Sequence, residues 1–342
     1  MRIFYVGQLW PGSTSGERMK TLEMLGHEIV PFDTTAWVSQ GSRIMLSMGH
    51  RWNVGANVKS LNRTLKASAA RVGYADVVWI DRGPWIEIET LRELRTHTHG
   101  ILLHFTLDPH FFSNHSHHFI KALYEYDIVV TTKRYELEFY EQYGAKRIIL
   151  VLQGYDPRFE VYERSVDKRQ NWSSEVVFIG HCEPHYARTL KVIKSECNDL
   201  RIWGPRWRRY AYLHRWARAY VKSDGVWGDD YLHALAYTKI ALGLLGKTIP
   251  ETTTTRTFEI PAVGAFLLAE RNDDHLSLFQ EGAEAEFFDS DEELRDKVHY
   301  YLRNETAREK IAAAGRRRAL QSGYSSYYQL RKVLGEIELL NK

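Results

Sequence analysis

A chain of 342 residues, 44% hydrophobic and 26% charged, has the make-up of a folded globular protein and enough length for two domains. Its 46 basic and 43 acidic side chains leave a net charge of +3, so charge is informative only locally. Two cysteines, Cys182 and Cys197, exclude a disulfide framework; no run of 18 apolar residues could span a bilayer, and the start MRIFYVGQLW does not read as a signal peptide, so a cytoplasmic location is expected.

Residues 2–6 are a short β-branched and aromatic run stopped by Gly7. Residues 17–25 then show helical spacing, and 28–32 form the next strand. The intervening loop, GQLWPGSTSG, lacks the spacing and tight turn of the dinucleotide fingerprint, so NAD binding is not expected. The alternation continues with helix 58–72, strand 76–80, helix 87–95, strand 101–105, helix 119–124, strand 127–131, helix 135–143 and strand 147–152. Continuous apolar strands separated by helices mean a parallel sheet covered on both faces. Ligands of such sheets gather at the carboxyl ends of strands, where the chain carries Gly7, Asp81, Arg82, residues 106–110, Thr132 and Lys133.

The segment HFTLDPHFFSNHSHH crowds His104, His110, His115, His117 and His118 around Asp108. Three readings stand side by side: a metal site, for which no second ligand cluster is evident; one His or Asp108 lining a cleft as acid, base or hydrogen-bonding group; and a solvated histidine loop.

Residues 153–174 read as an interdomain linker, after which the pattern restarts with strand 175–179, Gly180, helix 184–196, strand 200–203 and Gly204. Two such halves in tandem imply two facing Rossmann-like domains with a cleft between them. The segment 206–222, containing WRRYAYLHRWARAYVK, reads as an amphipathic helix. Its arginines are either solvated or set against an anionic lipid surface or another polyanion. A turn at 225–228, helix 230–237 and strand 239–244 follow, and beyond residue 270 come strand 285–288 and helices 291–302, 306–320 and 324–340.

Residues 246–270, GKTIPETTTTRTFEIPAVGAFLLAE, combine a Pro turn, four threonines, Arg256, a short apolar run ending at Gly264 and a strand opening at Ala265. Threonine favours helix N-caps and glycine favours the C′ position, so this is a polar loop, helix, stop and buried strand. The helix start is suited to an anion through its free N–H groups and dipole. Glu259, placed in the first turn, could accept two hydrogen bonds from a vicinal diol such as a ribose, while Arg256, Thr255 and Thr257 suit a diphosphate. A capped helix whose Glu answers its own dipole is the plainer alternative.

TRTFEIPAVGAFLLAE, followed by EAEFFDSDEELRDKVHYYL and REKIAAAGRRRAL, resembles the donor domain of CgeB-like glycosyltransferases, themselves similar to retaining family 4 glycosyltransferases of the GT-B fold. Glu251 and Glu259 match that group's pair of glutamates eight positions apart; the resemblance implies that Glu259 binds the donor ribose and Glu251 lies near the sugar, although Pro250 and the threonines replace the usual Gly-containing loop. VVFIGHCEPHYARTL is similar to the first donor-domain strand and loop, which implies Gly180, His181 and Arg188 near the phosphates. GVWGDDYLHALAYTKIALG implies Val226 and Trp227 beside the base, and ALYEYDIVVTTKRYELEFYEQYGAKRIILVLQGYDP resembles the end of the acceptor domain. Candidates for the family's histidine opposite the sugar are His104, Asp108 and His110.

The resulting expectation is an α/β protein of GT-B type. An acceptor-binding domain would occupy 1–153, with the last helix, 323–342, returning to it, and a nucleotide-sugar domain would occupy 175–322. Glu251, Arg256, His104, Asp108 and His110 would carry catalysis; Glu259, Thr255, Thr257, Gly180, His181, Arg188, Val226 and Trp227 would bind the donor. The donor is the co-substrate and no cofactor or metal is expected; a glycan, lipid-linked or other acceptor and a bacterial or phage origin fit the resemblance. Three alternatives remain: a nucleotide-sugar epimerase, an inactive binding protein, and a nucleic-acid-modifying glycosyltransferase. Segment 206–222 leaves room for peripheral contact at the inner membrane face.

Overall fold

The computed structural model describes residues 1–39, 52–112 and 116–340, so His115 lies outside the described residues. The chain divides into two compact units, Met1–Leu152 with Ser326–Lys342, and Gln153–Ser325.

In the first unit, strands β1 (Arg2–Gly7), β2 (Glu28–Asp33), β3 (Val77–Asp81), β4 (Ile101–Thr106), β5 (Ile128–Thr131) and β6 (Ile148–Leu150) form one sheet in the order β2-β1-β3-β4-β5-β6. Every pairing is parallel. Helices α1 (Thr14–Met24), α2 (Thr35–Ser39), α3 (Ala56–Val72), α4 (Ile88–Thr98), α5 (His117–Ala122) and α6 (Leu137–Gln142) connect the strands. The two-residue period of a strand sends alternate side chains to opposite faces. Phe4, Val6, Val78 and Ile80 thus enter one core with Leu61, Leu65 and Leu91, while Ile3, Tyr5, Val77 and Trp79 enter another.

The last described helix, Ser326–Leu340, closes that second core with Leu330, Val333, Leu334 and Ile337. Each buried aliphatic side chain is worth about 2 kcal/mol. Gln329 Oε1 accepts from the Leu152 N–H at 2.9 Å, and Arg147 pairs with Glu336 at 3.1 Å, which fixes the register of the returning helix.

The second unit is again a six-stranded parallel sheet with intervening helices, in a different strand order. Helix α7 (Val166–Trp172) precedes β7 (Ser174–Ile179); α8 (Pro184–Ile193), β8 (Leu200–Trp203), α9 (Trp207–Leu213), β9 (Val221–Ser223), α10 (Gly228–Ala236), β10 (Thr238–Gly243), α11 (Thr255–Ala262), β11 (Leu267–Glu270), α12 (Asp273–Leu278), β12 (Glu286–Phe288), α13 (Asp291–Arg303) and α14 (Glu305–Gln321) follow. Its parallel sheet runs β12-β11-β10-β7-β8-β9, so strand order reverses between β7 and β10. Such a reversal opens a crevice above the carboxyl ends of the two strands.

Three sequence expectations change. The linker stretch contains the helix α7 rather than irregular chain. Segment 206–222 is not one helix: α9 stops at Leu213, a 3₁₀ turn covers Arg215–Ala219 and β9 follows. Arg218 breaks the continuity by turning back to donate to the Ala211 and Tyr212 carbonyls. Strand β11 opens at Leu267, because the Ala265 N–H is still held by the Ile260 carbonyl in the helix stop.

Candidate functional site

The loops at the reversal between β7 and β10 are built on close backbone approach. Gly204 has φ +143°, and a Cβ there would lie 1.9 Å from the Gly180 carbonyl oxygen; the Trp207 indole N–H donates to the same oxygen at 2.8 Å. These contacts fasten the loop after β7 to the loop after β8. His181, exposed, turns to Glu183, with Nε2 2.6 Å from Oε1. A side chain at Gly246, after β10, would meet Glu251, Glu183 and Tyr186 within 3.6 Å.

Charged groups collect around these loops. Glu251 accepts from the Gly246 N–H at 2.9 Å. Glu270, closing β11, accepts from the Leu245 N–H at 2.9 Å and from Lys247, with His185 Nε2 3.0 Å away. Burial pushes the Glu270 carboxyl up, but Lys247, the Leu245 N–H and His185 outweigh it and hold it below its ordinary value. The Tyr186 phenol is raised by burial, with Arg256 opposing and Glu251, Glu183 and Glu270 adding to the rise. One aromatic hydroxyl thus marks where the three loops converge.

Helix α11 supplies the remaining groups. The Thr254 N–H donates to Thr257 Oγ1 at 3.1 Å, closing the first turn, and the buried Thr254 hydroxyl oxygen has no partner among the described residues. The helix start therefore keeps N–H groups that its own cap does not consume. Arg256 lies 5.8 Å from the Phe178 ring centroid and makes no hydrogen bond or ion pair with a described residue, its buried Nε included. Neighbouring basic side chains are committed: Lys247 to Glu270 and His181 to Glu183.

Glu259 stands in the second turn of α11 rather than the first, because the helix opens at Thr255. Its Oε2 accepts from the Tyr231 hydroxyl of α10 at 2.5 Å. Burial raises its pKa, and Tyr231, Arg256 and the Thr255 hydroxyl oppose that rise without cancelling it. A carboxylate with one oxygen on a phenol and a guanidinium nearby is a strong acceptor for a ligand's hydroxyls.

The expected site residues divide. Glu259, Arg256 and Thr255 share α11, Gly180 reaches them through Phe178, and Glu251 lies with Gly246 beside Tyr186. Trp227 is 58% exposed, lies over Gly225 and caps the helix that carries Tyr231, with Val226 half-buried before it.

Others fall outside this group. Thr257 is fully buried and its hydroxyl is committed to Thr254 and to His275 Nε2 at 3.0 Å, so it serves the helix rather than a ligand. Arg188 is exposed on α8 with no hydrogen bond or ion pair to a described residue.

His104 and His110, in the first unit, are completely buried, their Nε2 atoms 3.0 Å apart and their rings against Phe119. Burial drives the His104 pKa well below its ordinary value, with His110 adding to the shift, so the imidazole is neutral. These two expected catalytic groups are core side chains, out of a ligand's reach. Asp108 is half-exposed but paired with Arg82 at 2.9 Å, and His118 Nε2 is 2.6 Å from the Asn53 carbonyl oxygen. Among the described residues no three His, Cys, Asp or Glu side chains are grouped to hold a metal.

Sequence reasoning passed over Tyr186, Lys247, Glu270 and Tyr231. Glu270 left a signal: it is a carboxylate ending the buried strand FLLAE at the end where ligands gather. Tyr231 left none, since its partner is 28 residues away.

Residues 185–335 match the family model for glycosyl transferase-like proteins. No curated protein matches the sequence. Solved structures do match over nearly the whole chain. The Anabaena protein Alr3699/HepE in complex with UDP-glucose is 13% identical, with 99% of each chain covered and a TM-score of 0.66. Sucrose-phosphate synthase from Thermosynechococcus elongatus is 12% identical over 99% of this chain and 100% of its own, at 0.68. An alpha-glucosyltransferase in complex with UDP-glucose and DNA containing an abasic site is 12% identical over 99% of each chain, also at 0.68. No described helix is long and apolar enough to cross a membrane. Residues 185–335 thus resemble glycosyl transferase-like proteins, and the fold along the whole chain is the GT-B architecture of these solved structures.

Proposed function

We propose that the protein transfers a sugar from a UDP-sugar to an acceptor, with the nucleotide-sugar held at the β7/β10 reversal of the second unit. The observation that carries this reading is the pairing, on one short helix, of an uncommitted guanidinium and a desolvated carboxylate: Arg256 without a polar partner, and Glu259 engaged by Tyr231. Glu259 would accept both hydroxyls of the ribose. Arg256 and the open start of α11 would take the diphosphate, and Trp227 and Val226 would flank the base.

Breaking the bond between the anomeric carbon and the diphosphate leaves negative charge on the departing oxygen. Arg256 and the α11 N–H groups are in place before reaction to stabilise that charge, a role that needs no metal. Glu251, beside Gly246, is assigned to the sugar. The acceptor is assigned to the first unit, and the outcome at the anomeric carbon to retention, both on the resemblance to retaining GT-B enzymes. UDP is favoured as the donor nucleotide by the two structural neighbours that hold UDP-glucose.

Calorimetry with UDP-glucose and a panel of other nucleotide-sugars tests the reading. Glu259→Ala removes two charge-assisted hydrogen bonds, worth about 3 kcal/mol together, so affinity should fall more than about 100-fold. Donor affinity unchanged in that variant rejects the site. A donor sugar isomerised without any acceptor would instead make the enzyme an epimerase.

A further inference from the structure

The bend after β8 is built in an unusual way. Helix α9 buries Trp207 and Ala211 and half-buries Tyr210, which leaves Arg208, Arg209, Tyr212 and Leu213 on its outer face. Tyr212 is 76% exposed and Leu213 69%, adjacent at the end of the helix. Being adjacent, they form a small contiguous exposed patch rather than scattered single residues. The bend that presents them is stiff: Tyr210 stacks on His214 with centroids 4.0 Å apart and meets Trp216 edge-on, and Trp216 packs with Tyr220. Arg218 adds its two hydrogen bonds to the carbonyls of Ala211 and Tyr212.

Charge around the bend is one-sided. Between residues 206 and 222 there are five arginines and one lysine and no Asp or Glu. Arg206, Arg209, Arg215 and Lys222 are exposed and have no ion pair to a described residue, and Arg208 has only the exposed Asp224 at 3.6 Å. An exposed Tyr and Leu on a segment whose Arg206, Arg209, Arg215 and Lys222 have no ion pair to a described residue are the complement of an anionic bilayer surface: apolar side chains enter the headgroup boundary and guanidiniums meet lipid phosphates.

We propose that the bend formed by Trp207–Leu213 and Arg215–Ala219 is a docking surface for anionic phospholipid bilayers. A nucleic acid would also satisfy the arginines but would gain nothing from an exposed leucine, so lipid is the occupant the residues favour. The Trp207 indole N–H, on the docking element, is hydrogen-bonded to the Gly180 carbonyl in the loop after β7.

The test is co-flotation of the full chain with vesicles of phosphatidylcholine, with and without phosphatidylglycerol, at low and high salt and without donor, so that it does not depend on the transfer reading. Binding should require phosphatidylglycerol and weaken with salt. R208Q/R209Q/R215Q should lower partitioning on the order of 100-fold, and Y212S/L213S on the order of tenfold. Both variants alter exposed side chains and should keep the wild-type urea midpoint and UDP-glucose affinity. The proposal is overturned by failure to bind phosphatidylglycerol vesicles or by equal binding to neutral ones. It is overturned equally by wild-type partitioning in Y212S/L213S, or by tighter binding to duplex or single-stranded DNA that Y212S/L213S leaves unchanged.

Discussion

Both units are six-stranded parallel sheets whose strand order reverses once, and they differ in what fills the reversal. In the first, strand order reverses between β1 and β3, and the spot is filled from inside: Asp81 accepts from the Tyr5 hydroxyl and from Arg18 Nε, each at 2.6 Å, and Arg18 lies 4.1 Å from the Phe105 ring centroid. The pair is nearly buried, with side-chain exposures of 7% and 6%. In the second unit the reversal lies between β7 and β10, and Arg256 and the Thr254 hydroxyl have no polar partner among the described residues. One reversal is locked by its own charges and the other holds unspent hydrogen-bonding capacity. A parallel sheet supplies the location, and the side chains decide whether it is a core or a receptor.

The largest effect that would break this contrast is on stability. Asp81→Ala leaves Arg18 charged and buried without its carboxylate, a loss of about 3–5 kcal/mol. Urea unfolding should show it in the transition of the first unit, while the folded protein keeps its UDP-glucose affinity. An equal loss of donor binding would mean that the two reversals are not separable.

Arg256→Ala should behave in the opposite way. With no polar partner to lose, stability should hold within about 1 kcal/mol, while a lost charge-assisted contact to the diphosphate, about 2 kcal/mol, weakens donor binding roughly 30-fold. A marked fall in melting temperature in Arg256→Ala would place that arginine among the structural charges.

Acidification separates the units again. His104 is held neutral in the fold, its pKa below the unfolded value, so the unfolded state binds more protons and stability falls as pH drops below about 6.5, by at most about 1.4 kcal/mol for each pH unit. Urea midpoints at successive pH values should show this slope, reduced in His104→Gln. For Glu259 the raised pKa means that ribose binding by the carboxylate should fade at a higher pH than an ordinary glutamate would require. Calorimetric titration of donor affinity against pH checks it.

The smallest effect is local. Thr257→Val removes the acceptor of the Thr254 N–H and should cost about 1 kcal/mol of stability, with donor affinity unchanged if the buried hydroxyl serves only the helix. Thermal unfolding and calorimetry on the same sample decide.

Much of the architecture was legible because its determinants are local. The apolar runs at β3 and β10 announce buried parallel strands, and the spacing of Leu330, Val333, Leu334 and Ile337 announces a helix with one apolar stripe. From the residues themselves the candidate site was legible where its members are neighbours in sequence, as Arg256 and Glu259 are on α11, while Gly180 and Glu251 were named through the resemblance. His104 and His110 looked like site residues because a histidine at the end of a strand reads the same whether it faces solvent or Phe119. The basic aromatic stretch looked like one helix because its periodicity does not register Arg218 turning back on α9.

The sequence by itself determined two successive β-α series, the existence of the helix that carries Glu259 and the absence of a described membrane-spanning helix. Only the tertiary structure decided which polar groups are spent and which are available. Tyr5 meets Asp81 across 76 residues, Tyr231 meets Glu259 across 28 and Thr257 meets His275 across 18. The physical reason is one of range: strand and helix periodicity follow from neighbouring side chains, whereas desolvation and hydrogen-bond satisfaction are set by whatever the fold packs against a group.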